Sequence, residues 1–290
     1  MKYGVVFPHN EIGTDPGAIK AFAQGAEALG ADHMLIYDHV LGADPNRPGG
    51  WRKGMYDKDT AFHEPFTTLA FIAAVTERMG LMTTVLILPQ RQTALVAKQA
   101  AEVAILSNNR LRLGVGSGWN EIEYEALNED FKTRGRRQSE QVDLMRKLWT
   151  EDSLSYEGRY HKVTLASINP RPTQTIPVWF GGAAPALVKR CGEIGDGWIP
   201  LMGPTPEAAE VVAGLRAARE SVGKTMDGFG IQAQAQVRGG NPERWHAHAS
   251  KWKEIGATHV AVASQNAGLE NVDAHLRAMA GYLAVAREVG

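Results

Sequence analysis

The stretch Leu111-Arg112-Leu113-Gly114-Val115-Gly116-Ser117-Gly118-Trp119-Asn120 passes from a short apolar strand through alternating glycines to an acidic helix start. Glycine has no Cβ, so Gly114, Gly116 and Gly118 permit positive φ and close approach. The amides opening the next helix can then face an anion or a polar ring edge. This is the chemistry of binding rather than of bond cleavage. A dinucleotide fingerprint needs G-x-G-x-x-G, but its third glycine falls on Trp119 counted from Gly114, or on Glu121 counted from Gly116. A tight strand-to-helix turn with no ligand explains the same glycines.

Other polar groups just past apolar strands are His9, Asn10, Asp38, His39, Thr84 and Ser117, with the small residues Gly181, Gly182, Ala183 and Ala184 after a further strand. Few of them look like nucleophiles. There is no G-x-S-x-G elbow, H-E-x-x-H or paired C-x-x-C, and His246 and His248, two apart, do not share a helix face. Asp38, His39, His63 and Glu64 are zinc-ligand types, but adjacency in sequence is not ligand geometry, so no metal is expected. A mobile redox cofactor suits these groups better than hydrolytic or metal chemistry.

The elements that must position them alternate. Apolar runs at 3–7, 33–36, 81–86, 111–115, 178–180, 197–200, 229–234 and 259–263 read as strands. Helical composition or spacing fills 18–29, 66–76, 94–106, 184–194, 206–222, 242–255 and 273–289, and Val142, Met145, Leu148 and Trp149 mark one more helix. Eight β/α alternations predict an α/β fold, a TIM (β/α)8 barrel forming one domain over 1–290, with a doubly wound sheet as the alternative. Inserts near 42–59 and 153–175 interrupt the pattern, and both are long enough to be lids. The first leaves a strand's C-terminal end, so it is the expected specificity loop.

With 290 residues and 44% hydrophobic content the chain can bury a large core. Lys plus Arg is 31 and Asp plus Glu is 32, a net charge of −1, which gives no electrostatic case for nucleic acid or an anionic membrane. No apolar run approaches the roughly 20 residues that cross a bilayer. Cys191, the only cysteine, cannot form an internal disulfide, and the opening residues lack the apolar run of a signal peptide. A cytoplasmic location and a small-molecule substrate are expected.

Gly-Val-Gly-Ser-Gly-Trp at 114–119, Phe-Lys-Thr-Arg-Gly-Arg-Arg at 131–137, Pro-Val-Trp-Phe-Gly-Gly at 177–182 and Gly-Asp-Gly-Trp-Ile-Pro at 195–200 occur in that order. Ahead of them stand Tyr37-Asp38-His39, Glu64-Pro65 and Thr83-Thr84-Val85-Leu86. This series resembles the bacterial luciferase-like superfamily of flavin- and deazaflavin-dependent oxidoreductases, most closely its coenzyme F420-dependent branch. The resemblance implies a cofactor ring across the barrel mouth, backed by a third-strand bulge with a non-prolyl cis peptide at Thr84-Val85. It implies a cofactor phosphate at Gly181, Gly182, Ala183 and Ala184, with Asp38, Gly116, Ser117 and Gly118 also binding the cofactor. His39 falls where an acid or base lies near the ring, although a structural histidine fits that position too. His9 and Trp119 are expected at the substrate pocket. Arg134, Arg136 and Arg137 could meet phosphate or the acidic tail of a deazaflavin, while basic residues opening a helix are usually solvated.

The implied function is hydride transfer between F420 and a small organic substrate. The alternatives are a monooxygenase using reduced FMN and a non-catalytic flavin- or deazaflavin-binding protein. The glucose-6-phosphate dehydrogenases of this superfamily carry a tryptophan and a glutamate where Ala43 and Trp119 stand, so sugar-phosphate oxidation is not implied. By resemblance the chain is a homodimer, with a separate cofactor reductase as a possible partner.

Overall fold

A computed structural model describes residues 1–51 and 56–290. Its strands are β1 (Lys2–Val6), β2 (His33–Ile36), β3 (Gly80–Thr83), β4 (Leu86–Ile87), β5 (Leu111–Gly116), β6 (Leu154–Glu157), β7 (Lys162–Ala166), β8 (Val178–Gly181), β9 (Gly197–Ile199), β10 (Gly230–Gln236) and β11 (His259–Ala263). The α-helices are α1 (Pro16–Ala28), α2 (Pro65–Val75), α3 (Thr93–Leu106), α4 (Glu121–Ala126), α5 (Arg134–Thr150), α6 (Pro185–Ile194), α7 (Pro206–Glu220), α8 (Pro242–Ile255) and α9 (Val272–Glu288).

Parallel pairing runs β3-β2-β1-β11-β10-β9-β8-β5, and β3 pairs with β5 to close a barrel of eight staves, with β4 continuing the third. The closed ring settles strand order in favour of the TIM barrel. Because both faces of each stave are covered, the strands read as near-continuous apolar runs rather than as alternation. Helix starts are written locally: Asp15, Glu64, Asn241 and Asn271 cap α1, α2, α8 and α9 with their side chains, and proline follows the first three.

Val6, Leu35, Met82, Trp179, Ile199, Ala261 and Ala263 fill the barrel interior, with Tyr37 and Val85 packed against them. Trp179 fits because Gly197 and Gly230 present no Cβ to its indole. Deeper, towards the N-terminal ends of the staves, the filling is polar. Arg112 Nη1 lies 2.6 Å from His259 Nε2, and the guanidinium sits 5.3 Å from the Trp179 ring. Burial and the cation push His259 down to about 3, and burial holds Arg112 at about 10.

Three features bear on the site, and of these the fold of the second insert departs from the sequence reading. The third strand, an apolar run over 81–86, is interrupted at Thr84-Val85, whose peptide bond is cis as the resemblance implied, so its last residues form the separate β4. The insert at 153–175 folds as the antiparallel hairpin β6–β7 against α5 and supplies no residue to the cavity at the mouth; its tip packs instead on the segment after β4, where His161 Nε2 lies 2.7 Å from Thr93 Oγ1. It is therefore not a lid. The insert at 42–59 does reach the mouth through Trp51 and Tyr56; its residues 52–55 lie outside the described residues.

Candidate active site

A cavity of about 330 Å³ opens at the C-terminal ends of the staves, where barrel active sites form. Its wall includes Thr84, Val85, Gly116, Ser117, Gly118, Gly181, Gly182, Ala183 and Ala184, with Asp38, His39 and Trp119 beside them. Local packing explains the shape. The Val85 side chain projects between β5 and β8, and a Cβ on Gly116 or Gly181 would overlap its methyl groups. These glycines thus admit a protein side chain as well as lining the cavity. At Gly114 a Cβ would strike the Thr83 carbonyl and Ile199.

The two helix starts at this cavity differ. That of α4, which follows the glycines, is closed to an anion: Asn120 accepts from the Ile122 amide at 3.1 Å, and Glu121 and Glu123 occupy the first turn. That of α6 has Ala184 at its cap with no side-chain acceptor, so its positive end is open. The loop leading into it is fixed where the Trp198 indole N–H donates to the Gly182 carbonyl at 2.7 Å, with Gly182 at φ 122°.

Asp38 borders the cavity, but its carboxylate is committed to the fold. One oxygen accepts from Arg91 Nη2 at 2.7 Å and the other from the Ile87 amide at 2.8 Å, tying the end of β2 to β4. His39 packs against Tyr56, ring centroids 3.8 Å apart with the planes tilted by 35°, and sets its edge to Phe62 at 4.7 Å. Its Nδ1 is 3.4 Å from Glu123 Oε1, an electrostatic contact without the alignment of a hydrogen bond. Glu123, almost fully buried, also accepts from the Val40 amide at 2.7 Å, so the β2–α2 loop and α4 are joined through one carboxylate. Burial and the Glu123 charge raise the Tyr56 phenol above its ordinary range, and its oxygen accepts from Asn120 Nδ2 at 2.8 Å. Trp119 stacks on Trp51 at 5.7 Å and meets Tyr56 edge-on.

His9 is not at the cavity wall. It is fully buried behind Tyr37, accepts the Tyr37 amide at Nε2 (2.9 Å), and lies nearly parallel to the phenol ring. Burial, with His63 and His39 nearby, lowers it to about 3. Being just past β1 placed it near the mouth in the sequence, but its ring folds under the second stave. Tyr37 takes that place on the wall.

A second cavity, about 350 Å³, shares Ser117, Ala184 and Leu187 with the first. It is lined by Lys132, Arg134, Arg136 and Arg190 and by no carboxylate. Arg134 lies over the Phe131 ring at 3.7 Å and donates to that residue's carbonyl, and Arg190 donates to Gln138 at 3.0 Å. Arg137, grouped with Arg134 and Arg136 in the sequence, is directed elsewhere: it donates to the Pro89 carbonyl and pairs with Glu129. Sequence reasoning missed Arg190, Tyr37, Tyr56 and Glu123. Arg190 carried a signal, since it stands four residues after Ala186 on one helix face beside the small-residue loop.

The family model described as luciferase-like monooxygenase matches residues 1–284. The chain belongs to the luciferase-like monooxygenase family. A relative, an uncharacterised protein of Mycobacterium tuberculosis, is 36% identical over 241 residues, 78% of this chain and 82% of its own length. An F420-dependent glucose-6-phosphate dehydrogenase of Amycolatopsis mediterranei is 32% identical over 227 residues; the match spans 73% of this chain and 62% of that protein. Among solved structures, the monooxygenase RslO1 of Streptomyces bottropensis superposes with a TM-score of 0.79 at 18% identity, covering 98% of this chain and 99% of the other. The coenzyme F420-dependent tetrahydromethanopterin reductase of Methanopyrus kandleri does so with a TM-score of 0.73 at 15% identity and the same coverages. These two share the luciferase-like barrel. Among the described residues of this family member, no helix is long and apolar enough to cross a membrane, and no three metal-ligating side chains gather at one point.

Proposed function

We propose that this chain is an oxidoreductase that uses coenzyme F420 to move hydride to or from a small organic substrate at the barrel mouth. The observation that carries this reading is the basic cavity beyond the α6 start. FMN ends at its phosphate, for which the open amides of α6 would suffice. A deazaflavin continues from its phosphate into an acidic tail, and four cations with no carboxylate, Lys132, Arg134, Arg136 and Arg190, suit that extension. The F420-dependent relative at 32% identity points the same way.

The residues fit the cofactor in three parts. Val85, wedged between two glycines, forms a shelf for a flat ring. Gly181, Gly182, Ala183 and Ala184 offer backbone donors at a helix start to a phosphate. The basic cavity takes the tail. When bound, F420 supplies a hydride donor or acceptor at ring carbon C5. The chain's own contribution is then orientation, exclusion of water and proton handling. His39, with Nδ1 turned to Glu123, keeps Nε2 to exchange a proton with the substrate. Trp119, Trp51 and Tyr56 shield the mouth from solvent. A homodimer belongs to the same reading, and light scattering that gives a monomer at every concentration would remove it.

The test is a calorimetric titration of wild type and of a Lys132→Gln/Arg136→Gln variant with F420 and with FMN. The variant should bind F420 about tenfold more weakly, the loss of two partly exposed charge-assisted contacts. Any FMN affinity should change less than about twofold. Equal weakening of both, or of neither, contradicts the assignment of the basic cavity. Stronger binding of reduced FMN than of F420 by wild type would favour the monooxygenase.

A further inference from the structure

We propose that a third cavity at the barrel mouth binds an oxyanion, so that the molecule oxidised or reduced here carries a carboxylate or a phosphate. The word substrate rests on the redox reading above; the anion site itself does not. The cavity, about 580 Å³, lies between the segments after β9 and β10 and the start of α8. It meets the cofactor cavity at Leu201, which lines both. Gln234 makes a second connection: it lines the third cavity, and its Oε1 accepts from the hydroxyl of Tyr37 on the wall of the first at 3.1 Å. A ligand with one end above the ring shelf can therefore extend its other end here.

The charge of this cavity is one-sided. Arg238 and Arg244 are the charged side chains among its lining residues, and no carboxylate accompanies them. Both are exposed, and neither makes an ion pair among the described residues. Arg244 Nη1 donates to the Gly239 carbonyl at 2.9 Å, which holds the guanidinium in place and leaves its other donors for a ligand. The Trp245 indole forms an adjoining flat wall. It lies against Gly240, where a Cβ would overlap it, and donates to the Gln236 carbonyl at 3.3 Å. Leu201, at the junction with the cofactor cavity, is 66% exposed. A ligand spanning the two cavities would cover this apolar sill with its body and place its anion between the arginines.

The probes are 3-phenylpropanoate, phenyl phosphate and the neutral 3-phenylpropanamide, titrated without cofactor. The readout is the Trp245 indole N–H resonance in an ¹⁵N-resolved spectrum, assigned by its loss in Trp245→Phe. Saturable shifts are expected with one or both anions, and which binds more tightly identifies carboxylate or phosphate. The amide should bind at least about fivefold more weakly, as should either anion to an Arg238→Gln/Arg244→Gln variant with an unchanged fold. The proposal is overturned if the amide matches the anions, if the variant binds as wild type does, or if millimolar anion leaves the resonance unmoved. An F420 titration of the same wild-type sample separates the two readings: anion binding without F420 binding leaves this site standing and removes the F420 assignment.

Discussion

The Val85 wedge makes a quantitative prediction. In Gly116→Ala the new methyl group would coincide with a Val85 methyl, and Gly116 has no positive φ that would strain alanine for another reason. The nearest obstacle is thus a half-buried side chain that can yield only towards the cavity, and overpacking of this kind costs about 2 kcal/mol. Val85→Ala alone removes two methyl groups from that side chain, at a cost of about 1 kcal/mol. In the double variant the alanine methyl occupies vacated space, so the total should stay near 1 kcal/mol instead of the additive value of about 3, a coupling of about 2 kcal/mol. Urea unfolding of the four proteins at pH 7 measures each corner of the cycle. Because Val85 must move into the ring shelf, Gly116→Ala should also bind F420 about tenfold more weakly than wild type. A single variant within about 0.5 kcal/mol of wild type, or an additive cycle, would show that Gly116 is not there to admit Val85.

Replacing His39 by glutamine should slow the hydride step in single-turnover absorbance measurements by about 100-fold while F420 affinity stays within twofold; an unchanged rate would leave His39 a structural residue. His9 and His259 sit near 3 in the folded chain against an ordinary value of 6.5, so the unfolded chain takes up protons first as the pH falls. Stability should therefore be full above about pH 6.5 and decline towards pH 3, by about 2 kcal/mol per ring at pH 5. Urea midpoints at pH 7 and 5 check this, and because burial also holds His33 well below its ordinary value, His259→Gln should remove no more than about a third of the difference. Breaking the Asp38–Arg91 pair with Arg91→Met strands a buried carboxylate and should cost about 3–5 kcal/mol, while Asp38→Asn/Arg91→Met should recover a large part of it; calorimetric melting of both variants decides.

Much of the framework was legible because parallel staves covered on both faces show as short apolar runs, and all eight runs became staves of the barrel. What the runs did not carry was contact across the barrel. Gly114, Gly116 and Gly118 signalled close approach without naming the approaching atom, which at Gly116 is Val85 from another stave. His9 and Tyr37 both follow strands, and only ring packing decides which faces the cavity. The basic cavity was half legible: Lys132, Arg134 and Arg136 stand together in sequence, but Arg190 joins them from α6, and Arg137, one residue from Arg136, turns to Glu129 because a helix sends neighbouring side chains in different directions. Both inserts are long enough in sequence to be lids, and only the tertiary fold shows that β6 and β7 pair as a hairpin against α5.

The most direct measurement is a side-by-side calorimetric titration of wild-type protein with F420 and FMN, each oxidised and reduced, at low and at physiological salt. The account predicts preferential binding of F420, with an affinity that falls as salt screens the four cations of the basic cavity. Preference for reduced FMN, or binding of neither cofactor, would contradict it.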